Sequence, residues 1–409
     1  MNLKRGWYDL LLVLVMSVPF SKTLAQSTSE SAQQELVSAN AGFGFRLLKE
    51  LAGEKTQANI FISPYSISSV LQMIGNGARG GTREELLDVL GISSLTGAAM
   101  NAAYESLSKS VGSTQTNALL NIANAVWYRT GSPIDPQFAS VNEKFYRATL
   151  APLDFSDPHS SQTMNDWASQ NTHGRIKTII QPPIPPDTAI VLANAIYFKG
   201  TWLNQFDPKQ TKPRDFHMVN GTRQQIPMME QTRSFRYQEG AGFQAVQLFY
   251  SGKRLEMEIL LPEPNSNLAT FLGQLDAKTW QNSVLPNFRE DSGTLVLPRF
   301  RLRYGAELKK PLATLGLKNV LSPNADFSGM SSSRLFLSQI KHQSFVEVNE
   351  EGTEAAAATT GVMALASIRN QPQPFQMIVD RPFLFVISDE ATKSILFMGA
   401  VFDPGSSEQ

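Results

Sequence analysis

The 409-residue sequence contains no cysteine. Its absence removes disulfide staples, thiol nucleophiles and zinc–thiolate sites together. A small exported domain would be marginal without disulfides, but a chain of this length buries enough apolar surface to fold without them. Charge of one sign is missing too: 36 basic residues balance 36 acidic ones. With no basic excess and no charge run, neither nucleic acid nor a membrane surface is an expected partner. Histidine is scarce, and the four present (His159, His173, His217 and His342) are scattered. There is no P-loop, no HExxH and no GxSxG elbow. Gly75–Gly80 (GNGARG) has the GxGxxG spacing, but it follows a helical pattern instead of a strand and reads as a helix end and turn. The acids Glu350 and Glu351 read as a solvated loop entrance. The expectation is a protein that is not an enzyme and uses no metal or cofactor.

No apolar run is long enough to span a bilayer. Residues 10–20 (LLLVLVMSVPF) number eleven, against the roughly 20 that a spanning helix needs. Lys4 and Arg5 precede this run, and Thr23-Leu24-Ala25 follows it as a small-x-small site. Together they read as a secretory signal peptide spanning residues 1–25, leaving residues 26–409 as the folded, secreted chain. Asn220-Gly221-Thr222 is then a glycan acceptor on a surface turn.

What is present suits a globular protein, with 42% hydrophobic and 18% charged residues. Helical periodicity dominates early. It covers residues 32–51, then Ile67, Val70, Leu71 and Ile74 after the start signal Ser63-Pro64, then Glu84–Leu90 before Gly91. Strand-like runs follow. Ala118–Tyr128 and Ala189–Phe198 read as strands buried on both faces, and Leu255–Leu261, Thr294–Leu297, Phe383–Ile387 and Ile395–Val401 are shorter. Helices early and strands late, without βαβ alternation, predict one α+β domain. Residues 352–376 break the pattern. They lack periodicity yet lie between two good strands, and long loops of this kind are usually functional.

The residues around that segment are distinctive: Val348-Asn349-Glu350-Glu351-Gly352-Thr353-Glu354-Ala355-Ala356-Ala357-Ala358-Thr359. They resemble the proximal hinge of inhibitory serpins, the serine protease inhibitor superfamily. Further stretches are similar to serpin segments in the right order. They are Asn59–Ser66, Asn165-Asp166-Trp167 with Thr172–Ile176, Leu192–Trp202, Leu297-Pro298-Arg299-Phe300, Asp326–Gly329, Arg381–Phe385 and Ile395–Pro404. The resemblance covers residues 30–404. It implies a single domain of helices packed around three β-sheets, with an exposed reactive-centre loop at about 350–376 above a five-stranded central sheet. It also implies a suicide mechanism, in which a serine protease cleaves the loop and forms an acyl-enzyme. The loop then inserts as a new strand and carries the protease away. Inserting about 14 residues at roughly 3.3 Å each displaces the protease by about 45 Å.

Composition fits that duty. Side chains alternate along a strand, so if Thr353 points inward, Ala355, Ala357 and Thr359 do too, and Glu354 stays on the wet face. Non-inhibitory members, which include carriers, commonly place bulky, charged or proline residues here. The resemblance assigns Glu350 to Thr359 as the hinge and Ser63, Ser66, Asn194 and His342 as a polar shutter below the central sheet. It assigns Trp202 to the breach where insertion begins. Counting the hinge glutamate as first, the seventeenth residue is Ala366, which puts the reactive bond at Ala366–Ser367 and suits elastase-like proteases with small primary pockets. Leu365 would suit chymotrypsin-like enzymes and Arg369 trypsin-like ones. Where heparin-binding members carry a basic helix, residues 100–116 hold only Lys109, which does not point to heparin. The expected partner is a target serine protease, bound covalently by a monomer.

Overall fold

The computed structural model describes residues 20–54, 58–112, 118–185, 188–240, 242–353 and 373–406. Its helices begin with α1 (Phe20–Glu54), α2 (Pro64–Gly77), α3 (Gly80–Leu90), α4 (Gly97–Gly112), α5 (Pro136–Tyr146), α6 (Ser160–Asn171) and α7 (Leu268–Gln274). Local chemistry sets several of their ends. Ser63 caps α2 by accepting from the Ser66 N–H, and Pro64 fills the first turn, where no amide hydrogen is needed. α3 stops at Gly91, whose φ of 74° is the left-handed conformation that closes helices. α1 extends well beyond the 32–51 that periodicity marks. Gly75 and Gly77 lie in the last turns of α2 and Gly80 starts α3, so the glycine motif is indeed a helix end and turn.

The strands are β1 (Ile60–Ile62), β2 (Ala118–Arg129), β3 (Thr149–Leu153), β4 (Ile190–Thr201), β5 (Lys212–His217), β6 (Arg223–Gly240), β7 (Phe243–Phe249) and β8 (Leu255–Pro262). They continue with β9 (Arg289–Pro298), β10 (Phe300–Glu307), β11 (Leu337–Val348), β12 (Gly352–Thr353), β13 (Phe375–Ile378), β14 (Phe383–Asp389) and β15 (Ser394–Val401). The described strands form two hydrogen-bonded sheets where the resemblance counts three. The larger runs β1-β15-β14-β8-β7-β6-β9-β13, with β5 attached to β6. It is continuous because β6 is 18 residues long: one end pairs with β5, the other with β7, and β9 runs along its opposite edge. The smaller, central sheet runs β10-β11-β12-β4-β2-β3. Five of these are full strands, and β12 is a two-residue stub.

β4 shows why a nearly continuous apolar run belongs at the centre. Ile190, Leu192, Ile196 and Phe198 join the main core, while Val191, Ala193, Ala195 and Tyr197 face a second core under α6, with Met164 and Ala168. Trp127 of β2 meets Trp167 of α6 edge-on at 5.1 Å. β2 departs from the expected two-sided burial. Among its described side chains only Asn124–Trp127 are fully buried and Leu119 is exposed, because β3 pairs only with Ala125–Arg129 and the start of β2 lacks that neighbour. α2 packs between β15 of the larger sheet and β2 and β4 of the central one, which places its serines beneath the central strands.

Close packing between β14 and β15 gives a direct test. A Cβ on Gly399 would lie 2.0 Å from Cε1 of Phe385. Gly399→Ala should therefore destabilise the fold by about 1–3 kcal/mol through overpacking, read as a lower midpoint in chemical denaturation.

Candidate functional site

β4 and β11 lie side by side in parallel, paired from Leu337↔Ile190 to Phe345↔Tyr197. Beyond that ladder β12 stands between them: Val348 pairs with Thr353, while Gly352 and Thr353 pair with Thr201 and Gly200. Gly352 and Thr353, two residues of the expected hinge, therefore already sit between β4 and β11 as a short strand. Thr353 faces inward and is fully buried, with its hydroxyl 2.8 Å from the Tyr250 hydroxyl. Burial raises the Tyr250 pKa further above its ordinary value, so the phenol stays neutral. Tyr250 stacks on Trp202 at 4.5 Å and meets Phe198 edge-on at 5.0 Å. Two glycines make room. A Cβ on Gly200 would lie 2.6 Å from the Tyr250 ring, and one on Gly352, whose φ is 147°, would lie 2.1 Å from the Gly200 carbonyl oxygen.

The stem of the loop is fastened by charge and backbone together. Glu350 is not solvated, as its composition suggests, but almost fully buried. Its carboxylate pairs with Arg299 Nη2 at 2.9 Å and accepts from Thr211 Oγ1 at 2.5 Å. Trp202 donates its indole N–H to the Asn349 carbonyl at 3.0 Å and its backbone N–H to the Glu351 carbonyl at 2.9 Å. Phe206 N–H donates to the Glu350 carbonyl. The Asn349 amide oxygen accepts from the N–H groups of Glu351 and Gly352. Glu354, Ala355, Ala356, Ala357, Ala358 and Thr359 of the hinge, and the bond candidates Leu365, Ala366, Ser367 and Arg369, lie outside the described residues.

Lower in the sheet, β4 and β11 bring two polar side chains into register, Asn194 opposite His342. Both face α2, on the same face as Leu192 and Ile196. His342 Nδ1 lies 2.9 Å from Asn194 Oδ1. The Asn194 amide donates to the Ser66 hydroxyl and, at 2.8 Å, to Asn124 Oδ1. Asn124 donates to Ser69 Oγ at 3.1 Å, and Ser69 to the Ser66 carbonyl at 2.7 Å. Ser63 stands one step away: its hydroxyl donates to the Leu396 carbonyl of β15 at 2.6 Å and accepts from the Ser66 N–H. Asn194 Oδ1 is an acceptor, so His342 carries its proton on Nδ1. Its Nε2 faces a buried space with no donor. Burial drives the His342 pKa down to about 3, so the ring is neutral.

Ser66, Asn194 and His342 thus form one chain, Ser63 ties it to the larger sheet, and Trp202 belongs to the separate group around Tyr250. Asn124, Ser69, Tyr250, Arg299 and Thr211 were not singled out by sequence reasoning. For Asn124 a signal existed: Asn124-Ala125-Val126-Trp127-Tyr128 repeats the pattern of Asn194-Ala195-Ile196-Tyr197-Phe198, and the two asparagines pair across the ladder. Asn220 lies exposed in the turn between β5 and β6, its side-chain oxygen accepting from the Thr222 N–H and hydroxyl.

A family model described as Serpin (serine protease inhibitor) matches residues 38–404. Iripin-2 from Ixodes ricinus is 37% identical over 378 residues, 90% of this chain and 94% of that protein. The leukocyte elastase inhibitor of Sus scrofa is 33% identical over 382 residues, 91% of this chain and all of that protein. Among solved structures, human thyroxine-binding globulin complexed with thyroxine superposes with a TM-score of 0.85 at 27% identity, covering 92% of this chain and all of its own.

Two expectations follow from the geometry. His342→Ala removes the bond to Asn194 and should cost about 1–3 kcal/mol, seen as a lower melting temperature. The depressed His342 pKa means that the unfolded chain takes up a proton the native one refuses. Its contribution is therefore present above about pH 6.5 and lost as pH falls toward 3; the acid-side loss of stability should be smaller in the variant. At the stem, Arg299→Ala should destabilise more than Glu350→Gln. The first strands a buried carboxylate, whereas the second removes the charge and keeps an acceptor for Thr211. Thermal melts of the two variants side by side decide it.

Proposed function

This chain belongs to the serpin family, and we propose that it is an inhibitory member: a secreted suicide inhibitor of serine proteases. The observation that carries the reading is β12, with Gly352 and Thr353 seated between β4 and β11 and Thr353 facing inward. A segment that begins as a strand in the slot can continue as one once cleavage frees its far end. The alanines that follow supply small side chains for both faces of a closed sheet. The polar chain of His342, Asn194, Asn124, Ser66 and Ser69 lies under the line where the strands part. It offers alternative hydrogen-bond partners while the gap opens, which suits a shutter. Trp202 and Tyr250 form the breach.

The reactive bond in this reading is Ala366–Ser367, which suits elastase-like proteases; Leu365 and Arg369 are the chymotrypsin-like and trypsin-like alternatives. Export follows removal of residues 1–25, and Asn220 carries a glycan on its exposed turn. The protein acts as a monomer. α4 offers heparin only Lys109, which is already paired with Glu105 at 2.6 Å. The second reading is a non-inhibitory carrier, favoured by the likeness to thyroxine-binding globulin.

Incubation with elastase, chymotrypsin and trypsin followed by a denaturing gel separates the two. An inhibitor gives a complex stable to denaturation and a released C-terminal peptide whose mass marks the cut. Clean cleavage with neither complex nor gain in heat stability means a carrier. Thr353→Arg should turn the inhibitor into a plain substrate, because the arginine would have to enter the slot beside Tyr250. N-terminal sequencing of the exported protein should begin at Gln26.

A further inference from the structure

On the larger sheet, away from the loop and its slot, two acids lie side by side in the core. Glu256 and Glu258 are two residues apart on β8 and so project from one face of the sheet, and both are fully buried. Gln247 of β7 stands opposite Glu258, and Ser388 of β14 stands opposite Glu256. Glu258 Oε1 accepts from Ser388 Oγ at 2.8 Å and from Gln247 Nε2 at 3.2 Å. The charged groups facing the pair are few. Lys393 and Glu390 approach from the turn between β14 and β15, with Lys393 Nζ 4.0 Å from Glu256 Oε1, and Arg236 approaches from β6. Glu30 of α1 lies across a cavity of about 760 Å³ that also touches Arg236, Gln247 and Lys393. Neighbouring Asp389 is committed to Arg254.

The Oε2 atom of each acid is buried and reached by no donor. Two ionised carboxylates cannot satisfy one another, because each only accepts, and in a dry core they repel. The two carboxyl groups nevertheless lie close together: one hydroxyl, Ser388 Oγ, stands 2.8 Å from Glu258 Oε1 and 3.5 Å from Glu256 Oε1. One proton resolves both problems, since a protonated Glu258 can donate to Glu256. The division of roles follows from the surroundings. Glu256 faces Lys393 and Arg236, which favour its charge, whereas among the described residues no cation pairs with Glu258. Burial first, and the Glu256 charge second, hold Glu258 well above the usual carboxylate range.

We propose that Glu256 and Glu258 share one proton as an acid–carboxylate pair, and that this pair makes the native fold proton-dependent, tightest while the proton is held and looser once it leaves. The pair is connected to the rest of the molecule. Ser388 lies on β14, β14 pairs with β15, and β15 receives the Ser63 hydroxyl from the start of α2. The direction follows from linkage. The native state retains a proton that the unfolded chain releases above about pH 4.3, so this contribution is complete below that value and declines as pH rises through the native pKa. His342 acts in the opposite sense and only below about pH 6.5, so the range from neutral to alkaline isolates the pair.

The test compares wild type with Glu258→Gln in thermal melts at one scan rate between pH 6.5 and 9. Glutamine keeps the shape, still accepts from Ser388 and can donate to Glu256, but holds no titratable proton. Wild type should lose melting temperature across this range relative to the variant. The gap should widen by about tenfold in the unfolding constant per pH unit while one proton is at stake. Parallel profiles overturn the proposal. If the variant does not fold, wild type alone decides. Infrared spectra at pH 7 should contain the carbonyl stretch of a protonated carboxylic acid, shifting in heavy water, and its absence refutes the shared proton.

Discussion

On the inhibitory reading proposed above, the parallel ladder between β4 and β11 keeps the central sheet closed in the native protein and is also the line along which it parts. A parallel ladder is evenly spaced but slanted, and is slightly weaker per residue than an antiparallel one. Here it stops short of the strand ends, and β12 occupies the remaining width. Every unusual feature nearby answers to that double demand. Gly200 and Gly352 let backbones and the Tyr250 ring approach where a Cβ would collide. Glu350, Asn349 and Trp202 hold the stem of the loop against the ladder's open end. Asn194 and His342 place exchangeable hydrogen-bond groups directly across the ladder, where apolar partners would lock it or leave a void.

Much of this was legible in the residues. Two-sided burial of β4, the helix start at Ser63-Pro64 and the stop at Gly91 follow from local chemistry, whereas alternation alone does not fix which face Thr353 takes. Tertiary partners were not legible in the same way. Nothing local to Glu350 announces Arg299, some fifty positions earlier, or Thr211, still further away. Two adjacent acids before a glycine look like a solvated turn until the fold supplies a cation and a hydroxyl. The start of β2 misled for a related reason: its composition suits burial, but burial depends on a neighbouring strand, and β3 is too short to cover it. The continuous larger sheet depends on how far β6 runs without a break, which periodicity does not measure.

Buried polar groups in this protein come in two kinds. The set around His342 is neutral and linked by donor-to-acceptor bonds across three elements, so its members can exchange partners without exposing a charge. The set around Glu258 is ionisable and lies between strands that keep their pairing. On the proposed reading the first serves rearrangement while the second keeps its place, and their protonation drives stability in opposite directions.

Trp202 gives the stem of the loop an optical signature. Its indole is buried, stacked on Tyr250 and hydrogen-bonded through its N–H to the carbonyl of Asn349, three residues before Gly352. Indole emission responds to stacking, hydrogen bonding and solvent. A segment that lengthens from two residues into a full strand beside it must redraw those surroundings. On the proposed reading the molecule therefore carries its own fluorescent gauge of that lengthening, one that needs no attached dye.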